Sequence, residues 1–283
     1  MTRLQKFRII QMPHLKVVPT KQVILHEYFD ANRTTALKKK IITSGKWKDP
    51  PIVTQLIDGR FMVLDGANRT TSMKALGIPH MLAQVVDYFD PSIQLKSWNH
   101  VVRLLPERLM QSLRESGVDL PLDSHSDKKA KRMLSQRKIL AYLCDRKGNA
   151  FVLPLQKSPK AALELLNTLV RGYEGKSVIH RTEEATHKAF HGLDRRMRTL
   201  IVFPSLTKLG VLNAIARGQF LPSGISRHLI LRRALRIYLP LSVLKSRRMT
   251  IRQKQARADR LIQDLYEQGK VRFYPEGIYL FDE

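Results

Sequence analysis

"PIVTQLIDGRFMVLDGANRTTSMKALG", residues 51–77, decides how the chain folds. Two apolar runs, "PIVTQLI" and "RFMVLD", flank Asp58 and Gly59, the residue pair that favours a tight reversal between antiparallel strands. The second run carries Asp65 to the edge of the sheet, and Gly66 permits a sharp change of direction there. A helix is expected from about Asn68 to Leu76, closed by Gly77 and then Pro79. The stretch therefore reads strand, turn, strand, corner, helix, with an acid, a glycine and an arginine at the corner.

Strands and helices continue to alternate on both sides. Residues 8–19 read as an opening strand or a pair of short strands ended by Pro19. "DANRTTALKKKIITSG" has near-helical apolar spacing, with Asp30 or Asn32 as candidate caps and Gly45 as a stop. "HMLAQVVDYFD" supplies another strand, and residues 92–116 carry a helical pattern interrupted by Pro106. The polar stretch 123–138 is the expected domain join. Beyond it, "ILAYLCDRKGNAFVLP" reads as two runs around a turn, residues 158–173 as an amphipathic helix and "TLIVFPSL" as a buried strand. "TKLGVLNAIARG" is a helix stopped by Gly218, Thr250 with Gln253 forms a capping-box pattern, and "VRFYPEGIYLF" suggests a closing hairpin. The expectation is mixed α/β structure in two domains, 1–122 and 139–283, with the active site in the cleft between them.

Composition narrows the function classes. With 283 residues and 43% hydrophobic content the chain can bury a full core. Its longest apolar runs are too short to cross a bilayer, and the N-terminus lacks the pattern of a secretory signal, which places the protein in the cytoplasm. The single cysteine, Cys144, excludes an internal disulfide and a cysteine-rich zinc site. A formal net charge of +26 predicts an anionic partner. Residues 195–258 hold 15 Lys or Arg and no acid, so DNA binding through this tract is one reading and a solvated surface the other.

The corner has the chemistry of a phosphate site. A helix N-terminus offers unpaired N–H groups and a positive dipole end. Gly66 would let a ligand approach, Asn68 and Arg69 could contact phosphate oxygens, and Thr70 and Thr71 could donate hydroxyls. Asp65 would repel phosphate unless it holds a metal ion or a donor group, an arrangement suited to magnesium-nucleotide chemistry. By spacing alone, an Asp-Gly pair at a strand end is equally a simple turn.

Residues 50–90 resemble the core of the ParB/sulfiredoxin-like superfamily, in which a strand with an Asp-Gly corner runs into an arginine-bearing helix. Within it the chain is most similar to the free L-serine kinases, including relatives from siderophore gene clusters. "HEYFDANRTTALKKKIITSGKWKDPPIV", "LPSGISRHLILRRALRIYLPLSVL" and the ending "VRFYPEGIYLFDE" extend the likeness over most of the chain. The resemblance implies transfer of a phosphoryl group from ATP or ADP, with Mg2+, to the hydroxyl of free serine, giving O-phosphoserine. It implies Glu27 as the catalytic base, Asp65 as the acid that orients the hydroxyl or holds magnesium, and Arg69 on the phosphates. Trp98 would close the amino-acid pocket, while Ser226, Arg227 and His228 would hold the serine carboxylate and the product phosphate.

Taken singly, these residues have plainer readings: Glu27 as a helix-start acid, Trp98 as core, His228 as a packed or surface histidine, Arg227 as a solvated charge. The corner also departs from the family pattern, which commonly has two histidines where this chain has Ala67 and Asn68. A DNA-binding regulator on the same fold, with weak or lost kinase activity, is the alternative function. Position argues against sulfiredoxin chemistry, whose cysteine would fall in this corner, because Cys144 lies far away in sequence.

Overall fold

The computed structural model describes residues 12–29, 31–120 and 124–272, and forms two compact units that do not follow a single cut in the sequence. The first unit is assembled from residues 1–24, 34–90 and 230–283, the second from 25–33 and 91–229. The division differs from the expected join at residues 123–138, which instead form regular structure inside the second unit.

The first unit opens with strands β1 (Leu15–Pro19) and β2 (Val23–Ile24). Helix α1 (Ala31–Ser44) follows, so Asn32 lies within the helix, and Asp30 lies outside the described residues. After β3 (Lys46–Trp47) come β4 (Ile52–Gln55) and β5 (Phe61–Asp65), joined at the expected Asp58–Gly59 turn. There the Asp58 carboxylate accepts from the Arg60 backbone N–H at 3.0 Å. Helix α2 (Ala67–Ala75) and β6 (His80–Val86) complete this part. The sheet order is β1-β6-β4-β5-β2, antiparallel for β1–β6 and β4–β5 and parallel for β4–β6 and β2–β5. Val17, Val53, Met62, Val63, Met81 and Leu82 are almost completely buried on it, each contributing about 1.5–3 kcal/mol of transfer free energy. Trp47 is buried with them, its indole N–H donating to the Leu82 carbonyl at 2.8 Å.

Beyond residues 25–33, the second unit holds β7 (Gln94–Ser97) and β8 (Asn99–Val102), strands where the spacing predicts a helix. Pro106 opens helix α3 (Pro106–Glu115) at its first position, where the missing N–H costs nothing. The polar stretch forms β9 (Ser124–Ser126) and α4 (Asp127–Ser135), the Ser126 hydroxyl capping the helix. Next are β10 (Ile139–Cys144), β11 (Asn149–Pro154), α5 (Pro159–Arg171), β12 (Ile179–Thr182), β13 (Thr199–Val202), α6 (Lys208–Ala216) and β14 (Ser226–Leu229). Six of these strands form a sheet in the order β12-β8-β13-β10-β11-β9, and β14 pairs with β7. Cys144 is buried among Tyr142, Ala150, Val152, Leu200 and Val202, and burial pushes its thiol up to about 12, as expected of a packing residue.

The chain then returns to the first unit as β15 (Leu239–Pro240), α7 (Leu241–Lys245) and α8 (Ile251–Glu267). The Thr250–Gln253 capping box is present. Gln255 of α8 accepts from the Val17 N–H at 2.7 Å and donates to the Leu15 carbonyl at 3.1 Å, standing in for a neighbouring strand along the edge of β1. The expected closing hairpin falls, from residue 273 on, outside the described residues. No described helix is long and apolar enough to cross a membrane.

Candidate active site

The predicted residues fall into two constellations, one in each unit. In the first unit, Gly66 adopts φ +95° between β5 and α2, and a β-carbon there would lie 2.9 Å from Pro51 Cβ. Only glycine makes this corner without displacing its neighbour. The Thr70 N–H closes onto the Gly66 carbonyl at 2.9 Å, so within the helix the N–H groups of Ala67, Asn68 and Arg69 have no acceptor. These donors, and the positive end of the dipole, face the corner.

Asp65 sits between two guanidinium groups. Arg69 Nη2 donates to its Oδ2 at 2.6 Å, and Arg233 Nη2 meets the same oxygen. Arg233 was not singled out from the sequence; the only signal was its place in the quoted late motif. All three side chains are partly exposed, Asp65 at 37%, so the pairs contribute little to stability. Two positive groups on one carboxylate nevertheless leave the corner with a surplus cation. Asn68 is partly buried, its Oδ1 3.5 Å from the Thr34 hydroxyl. The hydroxyl oxygens of Thr70 and Thr71 are buried without a hydrogen-bond partner, and Thr70 is completely buried. The backbone N–H groups that open α2 and the Arg69 and Arg233 guanidinium groups are donors at this corner. Among the described residues no group of three or more His, Cys, Asp or Glu could hold a metal ion. A lone carboxylate suits magnesium carried in on nucleotide phosphates, which needs only one or two protein ligands.

The second constellation surrounds Glu27. Residues 25–33 belong to the second unit because Leu221 forms a parallel bridge with Glu27, donating to the His26 carbonyl at 2.9 Å and accepting from the Tyr28 N–H at 3.1 Å. This fixes the acid beside β14. The Ser226 hydroxyl donates to Glu27 Oε2 at 2.8 Å and lies 2.7 Å from His26 Nε2. With that nitrogen protonated, His26, Ser226 and Glu27 form one directed chain of hydrogen bonds. His26 is 3% exposed and Glu27 16%, so the carboxylate is largely shielded yet reachable. Sequence reasoning missed His26, although it immediately precedes the candidate base.

Alternation along β14 splits the late motif. Ser226 and His228 share the face towards His26, with the two imidazole rings edge-on at 5.1 Å. Arg227 points the other way, its guanidinium 4.1 Å above the centre of the Trp98 ring and paired with Glu183, which also accepts from Lys96 at 3.2 Å. Trp98 is thus a stacking platform for Arg227. The acid-free tract draws its counter-charges from elsewhere: Glu183 for Arg227, Asp65 for Arg233, Asp194 for Arg196.

The loop that presents Ser226 is held by buried polar groups. The Trp98 N–H donates to the Ile225 carbonyl at 2.8 Å. His100 is completely buried, with Nε2 3.0 Å from the Gly224 carbonyl and Nδ1 2.7 Å from the Tyr173 hydroxyl. Burial lowers the imidazole to about 4 and raises the Tyr173 phenol well above its usual range. Both are therefore neutral, the ring donating to Gly224 and accepting from Tyr173. Gly224, at φ +70°, brings its backbone against the Arg181 guanidinium, where any side chain would collide.

No protein-family model matches the chain. It is 26% identical over 275 residues, 95% of its own length, to the ATP-dependent L-serine kinase SbnI of Staphylococcus aureus (strain NCTC 8325 / PS 47), of which it covers 98%. A structure of SbnI with C-terminal truncation from Staphylococcus aureus superposes with a TM-score of 0.71 at 22% identity, covering 89% of this chain and 97% of that one. A free serine kinase in complex with AMP gives 0.69 at 16% identity, covering 83% and 95%. The names of these relatives are those of kinases and lend nothing to the DNA-binding reading. Along nearly its whole length the chain is similar to an ATP-dependent L-serine kinase, and it has the fold of the free serine kinase structures.

Proposed function

We propose that the protein is an ATP-dependent kinase of free L-serine, working in the cytoplasm, with the first unit as its ParB/sulfiredoxin-like, nucleotide-binding part. The observation that carries this reading is the Glu27–Ser226–His26 chain, which supports a shielded carboxylate in one orientation. It is joined by similarity to a serine kinase along 98% of that protein.

In the reaction the serine hydroxyl oxygen attacks the γ-phosphorus of ATP, the bond from that phosphorus to the β–γ bridging oxygen breaks, and ADP leaves. Glu27 accepts the hydroxyl proton, with Ser226 fixing the carboxylate and His26 fixing Ser226. Arg69 and the first N–H groups of α2 hold the phosphates. Asp65 would hold a magnesium ion from the protein side, and that ion would supply charge neutralisation on the transferring group. Ser226 and His228 line the serine side, and Arg227 on Trp98 supplies a cation for the substrate carboxylate or product phosphate.

The test is to incubate the folded protein with serine, ATP and magnesium and look for O-phosphoserine. Product formed by wild type and lost in Glu27→Gln is the expected result. No product with ATP or ADP would overturn the kinase assignment.

A further inference from the structure

Gln84, on β6, is 3% exposed, and its side-chain amide is spent entirely on backbone. Nε2 donates to the Arg232 carbonyl at 3.0 Å, and Oε1 accepts from the Ala234 N–H at 2.9 Å. The two bonds bracket Arg233. Gln84 also stands in the same cross-strand row as Asp65, since Ile52 of β4 registers with Gln84 on one side and with Asp65 on the other. Two strand spacings, about 10 Å in all, therefore separate the bracket from the carboxylate that the Arg233 side chain reaches.

The backbone that follows is held with equal care. Arg232, Arg236 and Tyr238 adopt positive φ values of 58°, 58° and 55°, conformations that non-glycine residues rarely take. The Arg236 N–H donates to Asp49 Oδ1 at 2.8 Å and the Ile237 N–H to the Lys48 carbonyl at 2.8 Å. A segment in uncommon conformations persists only where its surroundings over-determine it, and strain of this kind gathers at functional sites. Here it delivers a second guanidinium to a corner whose single carboxylate already has Arg69.

We propose that Arg233 is a second phosphate-binding arginine of the corner, aimed by Gln84, and that Arg69 and Arg233 together grip the polyphosphate of the nucleotide donor. This rests on the kinase reading for the identity of the ligand. Two planar, permanently charged forks match the oxygens of adjacent phosphates, which one arginine cannot span. Without nucleotide both arginines pair with Asp65, and a phosphate gains them by displacing that carboxylate. Gln84 touches no reacting atom and acts as a positioning residue.

The experiment is calorimetric binding of AMP, ADP and ATP to the full chain, without serine. Wild type should bind more tightly as phosphates are added. Arg233→Gln, at a side chain 42% exposed and so tolerant of change, should weaken ADP and ATP about ten- to a hundredfold while moving AMP far less. Arg233→Lys should fall between. Gln84→Met should reproduce the phosphate-dependent loss, and the double variant should be no worse than Arg233→Gln alone, since the amide acts only through the arginine. If Gln84→Met does not fold, the two Arg233 variants carry the test. Equal losses for AMP and ATP, or no loss at all, would overturn the assignment. Because turnover plays no part, a protein inert towards serine that shows this pattern sinks the kinase reading alone; product formation with unaltered Arg233→Gln binding sinks the arginine assignment alone.

Discussion

Asp65 and Glu27 are assigned to one reaction, yet the molecule holds them by opposite means. Asp65 lies at a partly exposed corner between two arginines, neutralised by charge. Glu27 is more shielded, and its oxygen accepts from a neutral hydroxyl that a buried histidine positions in turn. Under the proposed function the corner would exchange partners, because an ion pair at the surface yields readily to a phosphate of higher charge. The Glu27 centre would keep one geometry, which is what proton transfer needs.

The largest expected effect breaks the centre and spares the corner. If Glu27 accepts the serine proton as proposed, Glu27→Gln should lower kcat by about a hundred- to ten-thousandfold. Calorimetric affinity for ATP should stay within about twofold of wild type. A large loss of ATP affinity would show that the two regions do not divide the work in this way. Asp65→Asn is the converse test, with effects of opposite sign. It frees both arginines, so ADP without magnesium should bind more tightly, and if Asp65 holds the metal as proposed, kcat with magnesium should fall about a hundredfold. Unchanged binding of metal-free ADP would show that Asp65 does not compete with phosphate.

The contrast also explains what could be read in advance. The corner was legible because its parts are neighbours: Asp58 and Gly59 make the turn, Gly66 the bend, and Arg69 meets Asp65 one helical turn away. The Glu27 centre was legible only through resemblance, since Ser226 is 199 residues distant and no local pattern records the meeting. The same limit explains the misread segments. Residues 94–102 carry helical spacing but are pulled into strands by pairing with β14, β12 and β13. The polar stretch after residue 123 has a loop's composition, yet buried Asp127 finds His187 at 2.6 Å, sixty residues on, and the stretch folds around that contact. Arg233 was hidden in a basic run because its partner Asp65 and its bracket Gln84 come from distant strands.

A smaller effect should separate the regions by pH. His100, under the Ser226 loop, has a folded-state value of about 4 against 6.5 when unperturbed. The unfolded chain therefore binds a proton on this ring that the folded chain refuses as pH falls below about 6.5. Stability should be fully present above that value and decline down to about pH 4. Between pH 6.5 and 5 the loss attributable to this ring is about 2 kcal/mol. Chemical denaturation at the two pH values measures it, and His100→Gln should flatten the dependence while leaving AMP binding at the corner intact. A slope unchanged in the variant would remove His100 as its source.

The smallest expected effect tests whether the hydrogen-bond chain matters to catalysis at all. Ser226→Ala deletes the hydroxyl that joins His26 to Glu27, leaving the acid in place with one support fewer. If that hydroxyl only holds the carboxylate in its productive orientation, kcat should fall about tenfold, the scale of one hydrogen bond to a charged group, with ATP affinity unmoved. His26→Gln should give a similar loss, since it acts through the same oxygen. The double variant decides the matter, because a directed chain predicts that it falls no further than either single variant. Losses that multiply would mean that His26 and Ser226 reach the substrate independently, and the centre would then be three separate contacts around serine in place of one support for Glu27.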